Sequence, residues 1–338
     1  MKRPRLGSTA FLWQQVRRAA LAVSVLLGVG TAVAAPAPAS TDAVQCPPAA
    51  QMPEPQALQQ LMRDARDRGL LWRLEKNGRT SWLYGTIHAS RLEWMIPGPS
   101  VMKALRDSDA LALEINMLDG KVMAELLDAM RARPDAPPLP APLAQRLEVL
   151  KRAECAAAEL DALRPDAQVI SIVALSARRQ GLDVAYGVDV TLAGAAAAMQ
   201  KPVIGLESVQ TQMQQVISDD PVQVQETVAS ALDQLESHKA GTQLSHLAQI
   251  WADGRMNLLT RYADWCDCLN TPKERRDFER VVYGRNPGIA QAIAMQIDSG
   301  KTLFAAVGAL HMIGPKGLPT LLAAQGFRVE RVAFEPAR

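Results

Sequence analysis

The sequence predicts an α/β fold in which helices flank a central mixed sheet, with a helical insertion. Two short apolar segments, 81–88 and 302–311, each end in Gly-x-x-His. Continuous apolar runs of this kind are typical of strands that are buried on both faces. A hairpin signature precedes the first segment, and stretches with helical spacing separate it from the second. These observations predict a sheet whose strands alternate with helices.

The first 35 residues predict a secretory signal peptide, because basic residues precede an apolar run over 19–35 that ends in small residues. We expect cleavage after Ala34 or nearby, followed by a Pro/Ala-rich tether over 36–55 and a folded domain over 56–338. An uncleaved membrane anchor is the competing interpretation, but the run is short for a spanning helix. Cleavage would leave no membrane span and would place the chain in the periplasm or outside the cell.

Composition restricts the classes of function. The chain has 338 residues and a formal net charge of +2. The predicted signal peptide contains five positive charges and no negative ones, so the net charge of the mature chain is +2 minus 5, or −3. Aromatic residues make up 4% of the chain and no basic stripe is present, so a nucleic-acid partner is not expected. The length suits one large domain or two small ones.

Four cysteines would be oxidised in an extracellular compartment: Cys46, Cys155, Cys266 and Cys268. Because Cys266 and Cys268 are close in sequence, we do not expect them to pair with each other. At least one bridge from this pair to Cys46 or Cys155 is therefore expected, with the connectivity open. A metal or redox role for Cys-x-Cys is only weakly indicated.

The elements are predicted in chain order. The folded part begins with a helix over 56–71, and 71–74 and 82–84 are strands that flank the hairpin turn 76–79. An apolar strand over 110–115 carries Glu114 near its end. The remaining predicted elements are helices at 100–106, 119–131, 143–160, 165–179, 188–199, within 222–258, 273–298 and 318–325, and strands at 202–207 and 327–332. The helical insertion spans about 119–260.

Four polar residues follow predicted strands: His88, Glu114, Glu207 and His311. Open α/β sheets bind ligands outside the carboxyl ends of their strands, where distant parts of a chain converge. Two imidazoles and a carboxylate are the ligand set of many hydrolytic metal sites, in which the metal lowers the pKa of a bound water. Taken singly, each residue is more simply a loop histidine, a solvated charge or a helix cap. The doubled Gly-x-x-His pattern favours one joint site.

These residues lie in segments that together resemble the TraB/GumN family, a relative of the Tiki-type metalloproteases. The similarity covers about 71–330 and is carried by LYGTIHAS, LALEIN, YGVDVTLAGAAAAMQKPVIGLESVQTQ, GRN and FAAVGALHMIGPKGLPTLLAAQGFRVE. The resemblance places the paired motifs at 85–88 and 308–311 and the acidic residue at Glu114. It implies a fold shared with erythromycin-esterase-like proteins, a divalent ion such as manganese, cobalt or zinc, and a peptide or protein substrate.

Further candidates match the same segments. Asp189 could orient a histidine or cap a helix. Glu207 could be a ligand or general base, or cap the helix that begins near residue 208. Arg285 and Asn286 could bind a substrate carboxylate or polarise a carbonyl, or could be buried in an ion pair and a turn respectively. His238 and His246 are expected at the surface and outside the site.

The leading hypothesis is a periplasmic metal-dependent hydrolase acting on peptide bonds. His88, His311 and Glu114 would be its metal ligands, Glu207 its preferred base, and Arg285 or Asn286 its oxyanion donor. One alternative is a non-catalytic periplasmic partner protein, for example an accessory to exopolysaccharide export, as the GumN name within the resembled family suggests. Another is a metal-free, esterase-like hydrolase built on histidine and glutamate. The chain has no Gly-x-Ser-x-Gly elbow, which disfavours a serine hydrolase of the α/β-hydrolase type.

Overall fold

A computed structural model describes residues 45–334 of the chain. The predicted signal peptide and the first part of the predicted tether lie outside the described residues. None of the helices in the described part is both long enough and apolar enough to cross a membrane.

The centre of the fold is a six-stranded sheet in the order β4-β3-β5-β2-β1-β6. Its strands are β1 (Leu70–Lys76), β2 (Arg79–Thr86), β3 (Ala110–Leu113), β4 (Val203–Gly205), β5 (Leu303–Gly308) and β6 (Arg328–Arg331). Strands β4, β3, β5 and β2 run parallel to one another, whereas β1 pairs antiparallel with both β2 and β6. The predicted mixed sheet is confirmed.

Helices flank this sheet, as predicted. In the described part of the chain they are α1 (Pro55–Asp64), α2 (Pro99–Asp107), α3 (Gly120–Met130), α4 (Ala141–Ala153), α5 (Ala157–Leu160), α6 (Pro165–Ser176), α7 (Val188–Ala198), α8 (Val209–Val216), α9 (Pro221–Glu236), α10 (Lys239–Ala252), α11 (Met256–Leu259), α12 (Tyr262–Trp265), α13 (Pro272–Phe278), α14 (Asn286–Asp298) and α15 (Leu318–Ala324). Strands β3 and β5 are buried along their whole length. The helices therefore shield the middle of the sheet from water on both faces.

The predicted hairpin is confirmed. Strands β1 and β2 are joined at Asn77 and Gly78, whose φ angles are 52° and 74°. Two successive residues with positive φ form the turn whose twist matches that of paired strands, and Asn-Gly tolerates this conformation best. The turn fixes the register that delivers Gly85 to the end of β2.

Three helix predictions were wrong in extent, and the one over 273–298 is divided into α13 and α14 by a π-helical turn over Glu279–Tyr283. The first helix stops at Asp64 instead of 71, and residues 70–71 belong to β1, where pairing with β2 outweighs the helical spacing. The predicted helix over 143–160 is broken into α4 and α5, because Cys155 takes a left-handed conformation with φ of 53°. Tertiary contacts decide the end of the first helix and the break at Cys155.

The expected disulfide connectivity was wrong. Cys46 bonds Cys155, and Cys266 bonds Cys268. The intervening residue of the second pair, Asp267, has a φ of 48°, which lets the chain double back and bring the two sulfur atoms together. The first bond attaches the described start of the chain to the break between α4 and α5.

Candidate active site at the carboxyl edge of the sheet

The two Gly-x-x-His motifs end side by side. Strands β2 and β5 are parallel, with Gly85 opposite Val307 and Thr86 opposite Gly308. Strand β3 lies on the other side of β5, and β4 lies beyond β3. The residues that follow these four strands, among them the four predicted strand-end residues, therefore leave the sheet at one edge.

Each glycine of the doubled motif makes room for the other motif. A Cβ atom on Gly308 would lie 3.2 Å from His88 Nε2 and 3.3 Å from Glu114 Oε1. A Cβ atom on Gly85 would lie 3.2 Å from a side-chain atom of Met312. All three distances are tighter than ordinary van der Waals contact, so glycine at both places lets the two loops approach without displacing these side chains.

His88 is oriented by Asp189, which lies in the first turn of α7. The imidazole Nδ1 is 2.8 Å from Asp189 Oδ2, and Thr86 donates its hydroxyl to Asp189 Oδ1 at 2.5 Å. Because a carboxylate only accepts, Nδ1 carries the proton, and Nε2 faces Glu114 Oε1 at 3.6 Å. The charge of Asp189 raises the pKa of His88 to about 9. The prediction that Asp189 orients a histidine is confirmed by this contact.

His311 is held by Asn286, the first residue of α14. Its Nδ1 lies 2.6 Å from Asn286 Oδ1, while the Asn286 amide nitrogen donates to the backbone oxygens of His311 and Lys316 at 3.2 and 2.7 Å. These two donations fix the amide oxygen as the acceptor, so His311 also carries its proton on Nδ1. Burial lowers the pKa of His311 to about 4 and keeps the ring neutral.

Glu114 connects the two motifs. Its Oε1 accepts a hydrogen bond from the backbone N–H of Gly308 at 2.8 Å, and its Oε2 accepts from Arg285 at 2.5 Å and from Gln212 at 3.2 Å. Burial alone would raise the pKa of Glu114, but His311, His88, Arg285 and the Gly308 N–H outweigh it and lower that pKa. Glu114 is therefore an ionised carboxylate.

Arg285 joins Glu114 to Glu207. Its Nε lies 3.0 Å from Glu207 Oε2, its Nη2 bonds both carboxylates, and its Nη1 lies 3.5 Å from His311 Nε2. Burial raises the pKa of Glu207 against the opposing effect of Arg285. A π-helical turn over Glu279–Tyr283 precedes Arg285, and such turns are frequent at functional sites. The interpretation of Arg285 as a buried ion-pair residue is confirmed, whereas its contact with substrate stays a prediction.

Two cavities meet at these residues. One, of about 370 Å³, and another, of about 260 Å³, are both lined by His88, Glu114 and Arg285. A larger cavity of about 700 Å³ lies elsewhere, along 132–139 and 218–225, and none of the strand-end residues lines it. Glu207 lines none of the three, since its carboxylate is turned to Arg285. The two smaller cavities therefore adjoin the strand-end residues, whereas the larger one does not.

The donor chemistry of the site suits a divalent ion, although its present arrangement is not that of a closed metal site. Two imidazoles and one carboxylate are ligands for such ions, and both Nδ1 atoms have the hydrogen-bond acceptors that metal-binding histidines require. Within residues 45–334, however, no group of three or more His, Cys, Asp or Glu side chains is spaced to hold a metal ion. The Arg285 guanidinium occupies the space beside His311 and Glu114.

Sequence reasoning missed several contacts of the site. The role of Asn286 in holding His311, and the hydrogen bonds from Gln212 and the Gly308 backbone to Glu114, were not predicted. Gln212 lies in α8 among several glutamines and carries no distinguishing signal. His238 and His246 are exposed, as expected, and His246 packs against Trp265 with ring centroids 4.6 Å apart.

The sequence as a whole matches a protein-family model. The sequence model described as the TraB/PrgY/gumN family matches residues 70–331, which is most of the chain. No curated protein and no solved structure gives a significant match.

Proposed function

The chain belongs to the TraB/PrgY/gumN family, and from this premise we propose that it is a secreted hydrolase that cleaves a peptide bond with metal-activated water. The observation that carries the proposal is the matched orientation of the two histidines. Both donate Nδ1–H to an acceptor in the first turn of a helix, Asp189 or Asn286, and so turn Nε2 towards Glu114 in His88 and towards Arg285 in His311. Such acceptors behind the imidazoles are typical of metal-binding histidines.

The charges around the histidines also favour a bound cation. Two carboxylates, from Glu114 and Asp189, lie beside His88, and a third, from Glu207, shares the Arg285 guanidinium with Glu114. With neutral imidazoles this group carries two net negative charges. Manganese, cobalt or zinc would be held by His88, His311 and Glu114, and when bound would supply a water of lowered pKa and polarise a carbonyl.

The other polar residues would position this chemistry. Arg285 Nη1 faces His311 and donates to the carbonyl of Val281 at 3.3 Å, and it would be the donor that turns to a developing oxyanion. The base role predicted for Glu207 requires its carboxylate to leave Arg285. Because Glu207 binds Arg285 through both oxygens and lines neither cavity, we assign it the positioning of that guanidinium instead.

A metal-free hydrolase is the second candidate, and the opposite pKa shifts of the two histidines favour it. Near pH 7, His311 is neutral and His88 is protonated. His311 Nε2 would take a proton from water as the hydroxide adds to the carbonyl, and His88 would give a proton to the leaving amine. The two rings then exchange protons with water to restore their starting states.

Metal content and turnover separate the candidates. The mature protein, prepared without a histidine tag, would be measured by elemental mass spectrometry beside His88→Ala and His311→Ala. About one ion per chain, lost in both variants while they stay folded, together with chelator-sensitive cleavage of a peptide library, supports the metal-dependent hydrolase. Cleavage that a chelator does not change supports the metal-free one. A folded protein that holds no ion and cleaves nothing rejects both and leaves the accessory-protein alternative.

Export to the periplasm or out of the cell belongs to the same proposal. The two disulfide bonds of the described residues are compatible with an oxidising, extracellular compartment. Cell fractionation with mass analysis of the mature N-terminus tests it. An intact N-terminus recovered in the reducing compartment would contradict secretion.

A further inference from the structure

The cavity of about 370 Å³ is charged at one end and apolar elsewhere. His88, Glu114, Asp189 and Arg285 are its charged lining residues. The rest of the lining is mainly aliphatic, and Met130 of α3, Ile170 of α6 and Val216 of α8 contribute to it. We name this cavity the apolar cavity. Its charged end is the candidate active site, so any molecule that fills the cavity also contacts the proposed catalytic groups.

The walls of the apolar cavity include a partly exposed aliphatic side chain. Ile170 keeps 37% of its surface exposed, although it is a large aliphatic residue with apolar neighbours. The volume of the apolar cavity, about 370 Å³, lies at the small end of the range of small-molecule pockets, about 300–1000 Å³. A concave apolar surface beside a few convergent polar groups is the usual form of a binding site. Met130 adds a flexible wall that adapts to side chains of different shape.

The second cavity continues the site in the other direction. It is lined by Leu247 and Trp251 of α10, by Val281 of the π-helical turn and by Leu310. His88, Glu114 and Arg285 line both cavities. A bound peptide that crosses the site would therefore contact apolar surface on each side of the charged groups. Charged groups between two apolar surfaces suit a peptide better than a long acyl chain, because the polar backbone of a peptide would lie at the charges while its side chains enter the cavities, whereas an acyl chain would place methylene groups against the charges.

We propose that the apolar cavity is a specificity pocket for a bulky apolar side chain, such as leucine, methionine or phenylalanine, next to the cleaved bond of a peptide. This inference rests on the proposed function for the bond that is cleaved. The occupancy of the pocket can be measured by binding alone. Burial of one such side chain separates an apolar peptide from a polar one by about tenfold or more in affinity.

The test compares peptide binding to the mature full chain and two matched variants. Ile170→Glu places a carboxylate in the wall of the apolar cavity, and Val149→Glu makes the same change on α4 at a residue that is 65% exposed and lines none of the cavities. The probes are acetyl-Ala-Leu-Ala-amide and acetyl-Ala-Ser-Ala-amide, titrated by calorimetry. The leucine peptide should bind the parent about tenfold more tightly, and Ile170→Glu alone should remove that preference.

A filling variant tests the same pocket without a charge. Ala174 lines the apolar cavity from α6, so Ala174→Phe should weaken binding of the leucine peptide and leave the serine peptide unchanged. Circular dichroism checks that each variant is folded. If Ile170→Glu is unfolded, Ala174→Phe decides the question.

The outcomes distinguish this inference from the proposed hydrolase. Leucine-selective binding that depends on residues 170 and 174, without cleavage of any peptide, supports the pocket and rejects the hydrolase. Peptide cleavage with no apolar preference, unchanged in both variants, supports the hydrolase and overturns the pocket. Binding of a decanoyl amide in preference to both peptides overturns the assignment of a peptide side chain.

Discussion

The replacement Asp189→Asn tests how the site controls the charge of His88. Asparagine keeps the size of the side chain and an oxygen that can accept the Nδ1–H bond, but it removes the negative charge 2.8 Å from the ring. That charge is the main cause of the raised pKa of His88. The pKa should therefore fall in the variant while the ring keeps its position.

The magnitude follows from the shift and from the exposure of the ring. A rise from 6.5 to about 9 corresponds to at most about 3.4 kcal/mol, at about 1.36 kcal/mol for each unit of pKa. The His88 side chain is 64% exposed, so water screens much of the interaction. We therefore expect Asp189→Asn to lower the pKa of His88 by about 1–2 and to change the free energy of unfolding by about 1–2 kcal/mol.

The sign of the stability change depends on pH. A histidine whose pKa is raised by folding stabilises the folded state fully below its unfolded pKa, near 6.5, and loses that contribution as pH rises towards 9. In the presence of a chelator, the parent should lose stability across this range more steeply than the variant. Urea unfolding at pH 6 and pH 9 measures the difference.

Nuclear magnetic resonance gives the direct assay. The chain has four histidines, so the Cε1–H signal of His88 can be assigned by its loss in His88→Gln and followed from pH 5 to 10. A parent His88 that titrates near 6.5, or an unchanged titration in Asp189→Asn, would refute the role given to the carboxylate. A loss of the folded spectrum in the variant would instead show that Asp189 is mainly structural.

Three other changes follow from contacts of the described residues. Asn286→Ala leaves a buried ring N–H and two carbonyl oxygens without their partner, and should cost about 2–4 kcal/mol in urea unfolding; a loss below 0.5 kcal/mol would contradict the hydrogen bonds. Gly308→Ala crowds the side chains of His88 and Glu114 and should weaken ion or peptide binding, whereas Gly288→Ala, in open space on α14, should bind normally and raise the free energy of unfolding by about 0.5–1 kcal/mol. Replacing Cys46 and Cys155 by serine opens a loop of sequence separation 109 and should cost about 2–4 kcal/mol, while removing the other disulfide, of separation 2, should cost less; equal losses would refute the loop argument.

The sequence predicted the edge of the sheet well, because its signals there are local. An apolar run that closes on a glycine identifies the end of a buried strand, and this pattern located His88 and His311. The same reasoning placed Glu114 after β3, and the structure brings it within 3.6 Å of His88 Nε2. Parallel strands ending at a common edge explain why such distant residues converge.

Other features could not be read from local patterns. The break at Cys155 and the pairing of Cys266 with Cys268 depend on residues in left-handed conformations that are not glycine. Nothing in the sequence distinguishes such residues from their helical neighbours. The partner of each histidine also depends on where a remote helix begins, and only Asp189 was anticipated.

The two histidines are equivalent in position but different in chemistry, and the difference comes from the helix residues behind them. Asp189 and Asn286 both lie in the first turn of a helix and both accept a hydrogen bond from Nδ1. Asp189 brings a charge, which favours the protonated form of His88. Asn286 brings none, so burial controls the pKa of His311 and the ring stays neutral. The doubled Gly-x-x-His motif thus gives two imidazoles with the same orientation, and the choice between an acid and an amide makes one of them a proton donor and the other an acceptor whenever no metal ion is bound.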